Sequence, residues 1–329
     1  MKTALSLPAL SDDRWIRSLS YYAAFIGLGL TTSMVGPALP ELAQMTGTEL
    51  SQISIVFAAG PLGYMVAATR GGRLYDRMTG HLVMAVSLLL MAIATVLVPL
   101  MPVLWLMVVA LFLIGAGQSL VDIGGNTLLM WTYGAAVGPY MNALHFFFGI
   151  GALLAPVIIG QVVSFSGGIT WAFVILAVLI LPVAVWLVRL PSPPVRAVRS
   201  ETGAERIPYG LVGLIALFYF LYVGAEVSYG GWIFTYAITQ NLMSEPAAYY
   251  LTAVFWGAFT VGRLLSIPLG VRFSPRQMLN GALSAGILSM AVILAWPVSL
   301  TTIWLGTVGI GLAMAPVFPV MLAFLERRM

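Results

Sequence analysis

Long apolar runs, each about twenty residues, follow one another along almost the whole chain, separated by short breaks. Ten can be drawn: 18–39, 52–70, 82–100, 103–130, 140–163, 169–189, 208–238, 247–268, 277–297 and 300–324. The breaks carry turn chemistry, at Pro37 to Pro40, Pro99 to Pro102, Gly134 to Pro139, Ser166 to Gly168 and Ser274-Pro275. Within the runs polarity does not alternate, so they predict helices rather than strands. A spanning helix needs about 20 apolar residues to cross a hydrocarbon core about 30 Å thick. In lipid, only helices and closed barrels leave no backbone group unpaired. The long polar stretch is 190–207, Leu-Pro-Ser-Pro-Pro followed by Arg196, Arg199, Glu201, Glu205 and Arg206. It predicts a linker between a six-helix bundle (1–189) and a second bundle (208–329) with four helices.

Composition agrees with lipid as the solvent. Of the 329 residues 60% are hydrophobic and 8% charged, with mean hydropathy +1.00, where soluble domains carry about 25% charge. The chain contains no cysteine, which excludes disulfides and thiolate metal sites. Asp12, Asp13, Arg14 and Arg17, with no small-residue cleavage site, argue against a removable signal peptide. The 15 Lys and Arg residues are placed asymmetrically. Lys2, Arg14 and Arg17 precede the first run, and Arg70, Arg73 and Arg77 follow the second. Arg189, Arg196, Arg199 and Arg206 follow the sixth, Arg263, Arg272 and Arg276 lie at or after the end of the eighth, and Arg327 and Arg328 follow the tenth. If every run crosses once, all lie on one side, and the positive-inside rule puts the N-terminus and linker in the cytoplasm of a plasma membrane protein. This placement accounts for the pI near 9.4 without nucleic acid.

The chain also repeats itself. Gly29, Ser33 and Gly36 recur as Gly224, Ser228 and Gly231, and Arg77 recurs as Arg272, each 195 positions on. Gly115 and Gly117 recur as Gly309 and Gly311 at 194. The shared offset predicts two parallel six-helix halves, an arrangement of many secondary transporters. Counterparts of the fifth and sixth runs would fall beyond Met329, so the expectation is a 6+4 arrangement lacking the last two of twelve helices.

Against this apolar background a few polar residues stand out. Asp122 and Glu226 sit well inside runs, where a charge costs at least about 2.5–3.5 kcal/mol on insertion scales and signals function by default. An acid in low dielectric favours its neutral form, so it can take up a proton or pair with a cation. Gln118, Asp122 and Asn126 recur every four residues and share one helix face; Asn142 and His145, three apart, share another. Together they predict a wet cavity within the first half. The plainer reading of Gln118, Asn126 and Asn142 is hydrogen-bond glue between helices, and His145 could equally be a satisfied structural imidazole. Glu226 shares a face with Tyr222 and Tyr229; acid plus aromatic suits a sugar or an organic cation. Trp232 and Tyr236, further on, fit an interfacial belt. At the junction of the second and third runs, Asp76 lies among Arg73 and Arg77, suited to ion pairs that hold a cytoplasmic gate. Glu41, Glu49 and Glu245 read as solvated loop charges. No enzyme signature emerges: Gly115-Ala116-Gly117 and Gly149-Ile150-Gly151 follow no strand as a phosphate loop would. Two distant histidines make no metal site, and nothing supports nucleic-acid binding.

The 6+6 repeat, the basic linker and the Gly72…Asp76-Arg77 junction resemble the major facilitator superfamily. Val121-Asp122-Ile123-Gly124-Gly125-Asn126 and Met141-Asn142-Ala143-Leu144-His145 resemble its fucose permease and sodium-dependent glucose transporter branch. The junction departs from the pattern in its late Gly80, the second half has Val271 in place of an acid, and His145 replaces a glutamine. The first run offers Thr31, Thr32 and Ser33 but no acid. The resemblance implies a two-bundle transporter and no cofactor beyond a coupling H⁺ or Na⁺. In it, Asp122 and Asn126 form the coupling pair, and Asn142 and His145 the second pair. The expected activity is symport of a sugar or sugar-like solute by alternating access, with Asp122, Asn126, Asn142, His145, Glu226, Gln118 and Tyr229 at the site. The rivals are a proton-driven drug or metabolite exporter, from the partial glycine-proline pattern Gly151, Ala155-Pro156 and Gly160, and a non-transporting sensor or defective fragment.

Overall fold

The computed structural model describes residues 13–195 and 209–326, and among them every regular element is helical. The first half contains α1 (Asp13–Ser33), α2 (Val35–Thr46), the single-turn α3 (Leu50–Ile53), α4 (Val56–Arg77), α5 (Gly80–Leu97), α6 (Leu104–Tyr133), α7 (Gly138–Ser166) and α8 (Thr170–Arg189). The second contains α9 (Tyr209–Thr239), α10 (Glu245–Arg272), α11 (Pro275–Ala295), α12 (Leu300–Met314) and α13 (Val317–Glu326). Among the described residues nine helical stretches are long and apolar enough to cross a membrane, and the bent pair α1–α2 makes a tenth. These coincide with the ten apolar runs. Residues 196–207 of the expected linker lie outside the described residues, as do Lys2, Asp12, Arg327 and Arg328 of the charge pattern.

The first run is not one straight helix. It bends by 47° between α1 and α2, because Pro37 has no N–H to offer the Ser33 carbonyl and its ring crowds that oxygen. The Ser33 hydroxyl donates across to the Ala152 carbonyl on α7 (2.7 Å), with the Gly29 carbonyl at 3.3 Å as the alternative acceptor. Glu41 and Glu245 are not loop charges. Glu41 Oε1 accepts from the Ile169 amide (2.9 Å) at the start of α8, where the open N–H groups of a helix end favour an anion. Glu245 lies in the first turn of α10 and accepts from the Tyr249 hydroxyl (3.1 Å). Glu49 caps α3 in a reciprocal capping box with Gln52.

In the first half α1 packs along α7, α4 along α6, and α5 along both α6 and α8; in the second, α10 and α11 pack along α12. Apolar side chains gain little by leaving lipid for each other, so close backbone approach at small residues supplies the attraction. Gly115 rests on Gly60, Gly63 on Phe112, and Gly151 on Ile26, each against backbone.

The halves meet along two seams. On one, α7 lies against α10, through Gln161 Nε2 donating to the Tyr250 hydroxyl (2.7 Å), Leu153 on Gly257, and Gly149 on Thr260. On the other, α2 meets α9, where a Cβ on Gly36 would come 2.7 Å from the Gly231 carbonyl. Gly36 and Gly231 are equivalent residues of the repeat, and equivalents touch only near the axis that relates the halves. Phe57 and Trp232 pack beside them, ring centroids 5.5 Å apart, which gives Trp232 a partner in the protein.

Candidate functional site

On the α7–α10 seam Gly149 rests against Thr260. One turn further along each helix, α7 presents His145 and α10 presents Arg263, and both line a cavity of about 450 Å³. That volume falls in the range of about 300–1,000 Å³ usual for small-molecule sites. The cavity lies between the halves, walled by α1, α4, α6 and α7 on one side and α9 and α10 on the other. The expectation of a cavity within the first half is corrected accordingly. A polar face on one bundle must be covered by the other, since lipid offers it no hydrogen bonds.

Helix α6 contributes the stripe read from the sequence. Asp122 lines the cavity with both carboxylate oxygens engaged: Tyr64, on α4, donates to Oδ2 at 2.5 Å, and Asn126 Nδ2 donates to Oδ1 at 3.0 Å. Asn126 also donates to the Asp122 main-chain carbonyl (2.8 Å) and is not among the lining residues. It positions the acid rather than facing the void. Gln118 lines the cavity while donating to Thr31 (3.0 Å) and Thr32 (3.3 Å) on α1, so it is glue and wall at once. Nothing in the sequence pattern singled out Tyr64, whose hydroxyl reaches the acid from another helix.

Helix α7 is split between its two candidates. His145 lines the wall, edge-on to Phe25 with ring centroids 5.8 Å apart. Asn142, a turn closer to the start of α7, is exposed and absent from the wall. On α9, Tyr222 and Glu226 line the cavity, and the Tyr222 hydroxyl donates to the Met314 carbonyl (2.9 Å) while facing the Glu226 carboxylate. Tyr229 does not join them. Its hydroxyl hydrogen-bonds Thr307 (2.7 Å) and its ring packs on Phe255, which makes it a packing residue. Tyr236 likewise turns to structure, donating to the Pro297 carbonyl (3.1 Å).

The residue that sequence reasoning misplaced is Arg263. It was grouped with the basic flank at the end of the eighth run, yet α10 continues to Arg272 and Arg263 lies inside it, lining the cavity. The guanidinium carbon sits 4.7 Å from the centroid of the Phe259 ring, and it acts electrostatically on both Asp122 and Glu226. The repeat held the signal: 195 positions earlier stands Ala68, inside the second run. The gating residues show a different arrangement from the one expected. Arg73, Asp76 and Arg77 are exposed at the end of α4, and no Arg nitrogen there lies within 4.0 Å of a described carboxylate oxygen. Among the described residues the gate ion pairs are not formed in this conformation.

The glycine-proline stretch of α7 has a packing role. Gly151 sits on Ile26 of α1 and Gly160 on the Tyr249 ring of α10.

The sequence profile described as Major Facilitator Superfamily matches residues 21–329. Sodium-dependent glucose transporter 1A of Mus musculus is 28% identical over 344 residues, covering 93% of this chain and 81% of that protein. Among solved structures, the nucleoside transporter NupG superposes with TM-score 0.72 at 14% identity, covering 97% of this chain and 83% of its own. A D-xylose-proton symporter superposes with TM-score 0.69 at 16% identity, covering 95% and 82%. At such identities the superpositions show the fold alone. The profile match, running over nearly the whole chain with a cavity walled by two helical halves, shows that this protein belongs to the Major Facilitator Superfamily and is a membrane transporter.

Proposed function

We propose that the protein is a cation-coupled symporter of a sugar or sugar-like solute, working by alternating access in the plasma membrane with its N-terminus in the cytoplasm. The observation that carries this reading is Asp122, an acid on the cavity wall with a donor on each carboxylate oxygen. Two donors from Tyr64 and Asn126 fix where the negative charge stands. A proton or Na⁺ arriving there neutralises it and changes what the wall offers the solute. Gln118, His145, Glu226 and Arg263 supply further polar groups, and Phe25, Tyr222 and Trp256 supply apolar faces for the C–H face of a sugar. The relative named a sodium-dependent glucose transporter and the fold neighbour named a D-xylose-proton symporter support the solute class and leave both cations open.

Access alternates, on this reading, by rocking one half against the other about the Gly36–Gly231 contact. The seams hold the halves together on the Gly36 side, and the rocking motion requires the cavity to open toward the side carrying Arg73, Asp76 and Arg77. Closing that side would bring these charges into the ion pairs they do not make here.

The test is counterflow in proteoliposomes. Radiolabelled D-glucose should exchange against internal unlabelled hexose, and an imposed H⁺ or Na⁺ gradient should drive accumulation. Asp122→Asn should keep exchange and lose accumulation. Full accumulation by that variant would overturn the role of Asp122, and the absence of hexose exchange in the wild type would overturn the solute class.

A further inference from the structure

Arg263 occupies an unusual position for a buried-cavity cation. Its neighbour Gly262 is pressed against the backbone of Leu312 on α12, which fixes this turn of α10. The side chain leaves that fixed turn for the cavity and lies over Phe259. No carboxylate oxygen of the described residues comes within 4.0 Å of it, and its buried Nε has no hydrogen-bond partner among them. Asp122 does not serve, since its oxygens, which take donors from Tyr64 and Asn126, lie beyond 4.0 Å from the Arg263 nitrogens. A guanidinium carries five N–H donors in a flat fork, and a buried donor left without an acceptor is costly. Two carboxylates lie close enough to steady the charge without taking up the donors. The remaining acceptors have to come from whatever enters the cavity.

We propose that Arg263 is a solute-binding and specificity-determining residue that clasps two adjacent hydroxyl oxygens of a neutral polyol in its guanidinium fork. This rests on the sugar reading above and adds to it a residue and a recognition chemistry. A carboxylate would also fit the fork, but it brings no hydrogen of its own for Glu226, a cavity-facing group on the neighbouring helix α9. Hydroxyl groups fill both needs, accepting from the fork through oxygen and donating to the Glu226 carboxyl.

The experiment measures hexose counterflow in proteoliposomes with D-glucose and its 2-, 3-, 4- and 6-deoxy analogues, for the wild type, Arg263→Lys and Arg263→Gln. Wild-type protein should discriminate against the analogues lacking either clasped hydroxyl by about 10- to 100-fold, the range for a hydrogen bond to a charged group. In Arg263→Gln that discrimination should collapse at those positions alone, with the ranking of the others preserved. Arg263→Lys, which keeps the charge and loses the fork, should recover binding of glucose only in part. A structural role would lower flux for every sugar by the same factor, so an unchanged deoxy-sugar ranking in both variants overturns the proposal while the sugar reading stands. Should Arg263→Gln misfold, protection of Arg263 from phenylglyoxal by D-glucose in the wild type, read by mass spectrometry, decides the matter, with no protection overturning the proposal. Tighter binding of D-glucuronate than of D-glucose by the wild type would also overturn it, in favour of an anionic solute. Absence of any hexose flux in the wild type removes the sugar reading and this proposal together.

Discussion

Gly29 and Gly224 occupy equivalent places in the two halves, 195 positions apart, and meet different surroundings. A Cβ on Gly29 would run into the backbone of Phe148 and Ala152 on α7, whereas one on Gly224 would find nothing within 4 Å. The same contrast holds for α5 and its equivalent α11. In the most apolar stretch of the first, 61% of the residues are buried inside the protein; in that of the second, 6%. The difference is one of neighbours. In the first half α7 covers α1 and α8 covers α5, and α9 and α11 have no counterpart of either among the described residues. The repeat therefore preserves the helices and their small residues, while the role of each residue depends on what packs against it. The halves also divide the chemistry. The first holds an acid satisfied on both oxygens, and the second holds Glu226 and Arg263 with bonding capacity open to the cavity.

Four measurements bear on this contrast. Gly29→Leu should destabilise the protein by about 3 kcal/mol or more, because the side chain has to displace backbone; Gly224→Leu should change stability by less than about 0.5 kcal/mol, as at an open surface site. Thermal unfolding of the purified protein in detergent compares them, and equal losses would mean that α9 is covered after all. Next in size is the difference between the acids. Asp122→Asn should bring cation-driven accumulation down to simple equilibration, whereas Glu226→Gln should raise the KM for solute about tenfold, the loss of a hydrogen bond to a charged group, and keep accumulation. Third, Gly36→Leu and Gly231→Leu should act alike, since these two touch each other. Each should wedge the halves apart on that side and slow exchange strongly without the unfolding expected of Gly29→Leu. The smallest effect belongs to Tyr250→Phe, which removes one neutral hydrogen bond across the α7–α10 seam. A loss of about 1 kcal/mol should shift the balance between the two access states about fivefold. The absence of cysteine lets single introduced thiols report that shift by their labelling rate.

Much of the fold was legible in one dimension. Hydropathy depends on the local run of side chains, so all ten runs appear as helices, and a fixed offset of 195 reveals the halves without reference to structure. The stripe of Gln118, Asp122 and Asn126 was legible because helical periodicity is local too. Its division of labour was not, since Asn126 turns back onto the acid and the partner Tyr64 lies 58 positions away in the chain. Tyr229 and Asn142 were grouped with the site on the same periodicity and do not reach the cavity. Periodicity gives relative directions around a helix and leaves open how the helix is turned against its neighbours. Arg263 was misplaced for a related reason. A run boundary drawn at 268 makes an arginine near it read as flank, but α10 is 28 residues long, more than the approximately 20 a bilayer core requires. The surplus carries Arg263 inward.

By itself the sequence determined that this chain is a repeated array of membrane helices with acids held inside, because charge is too scarce to cover a water-facing surface and each helix satisfies its own backbone. Only the tertiary structure decided that the polar faces close on one another across the two halves, which acid is already satisfied, and that an arginine joins them with its donors open. Those outcomes depend on how each helix is rotated against its neighbours, and the glycine contacts that set this rotation join residues far apart in the chain.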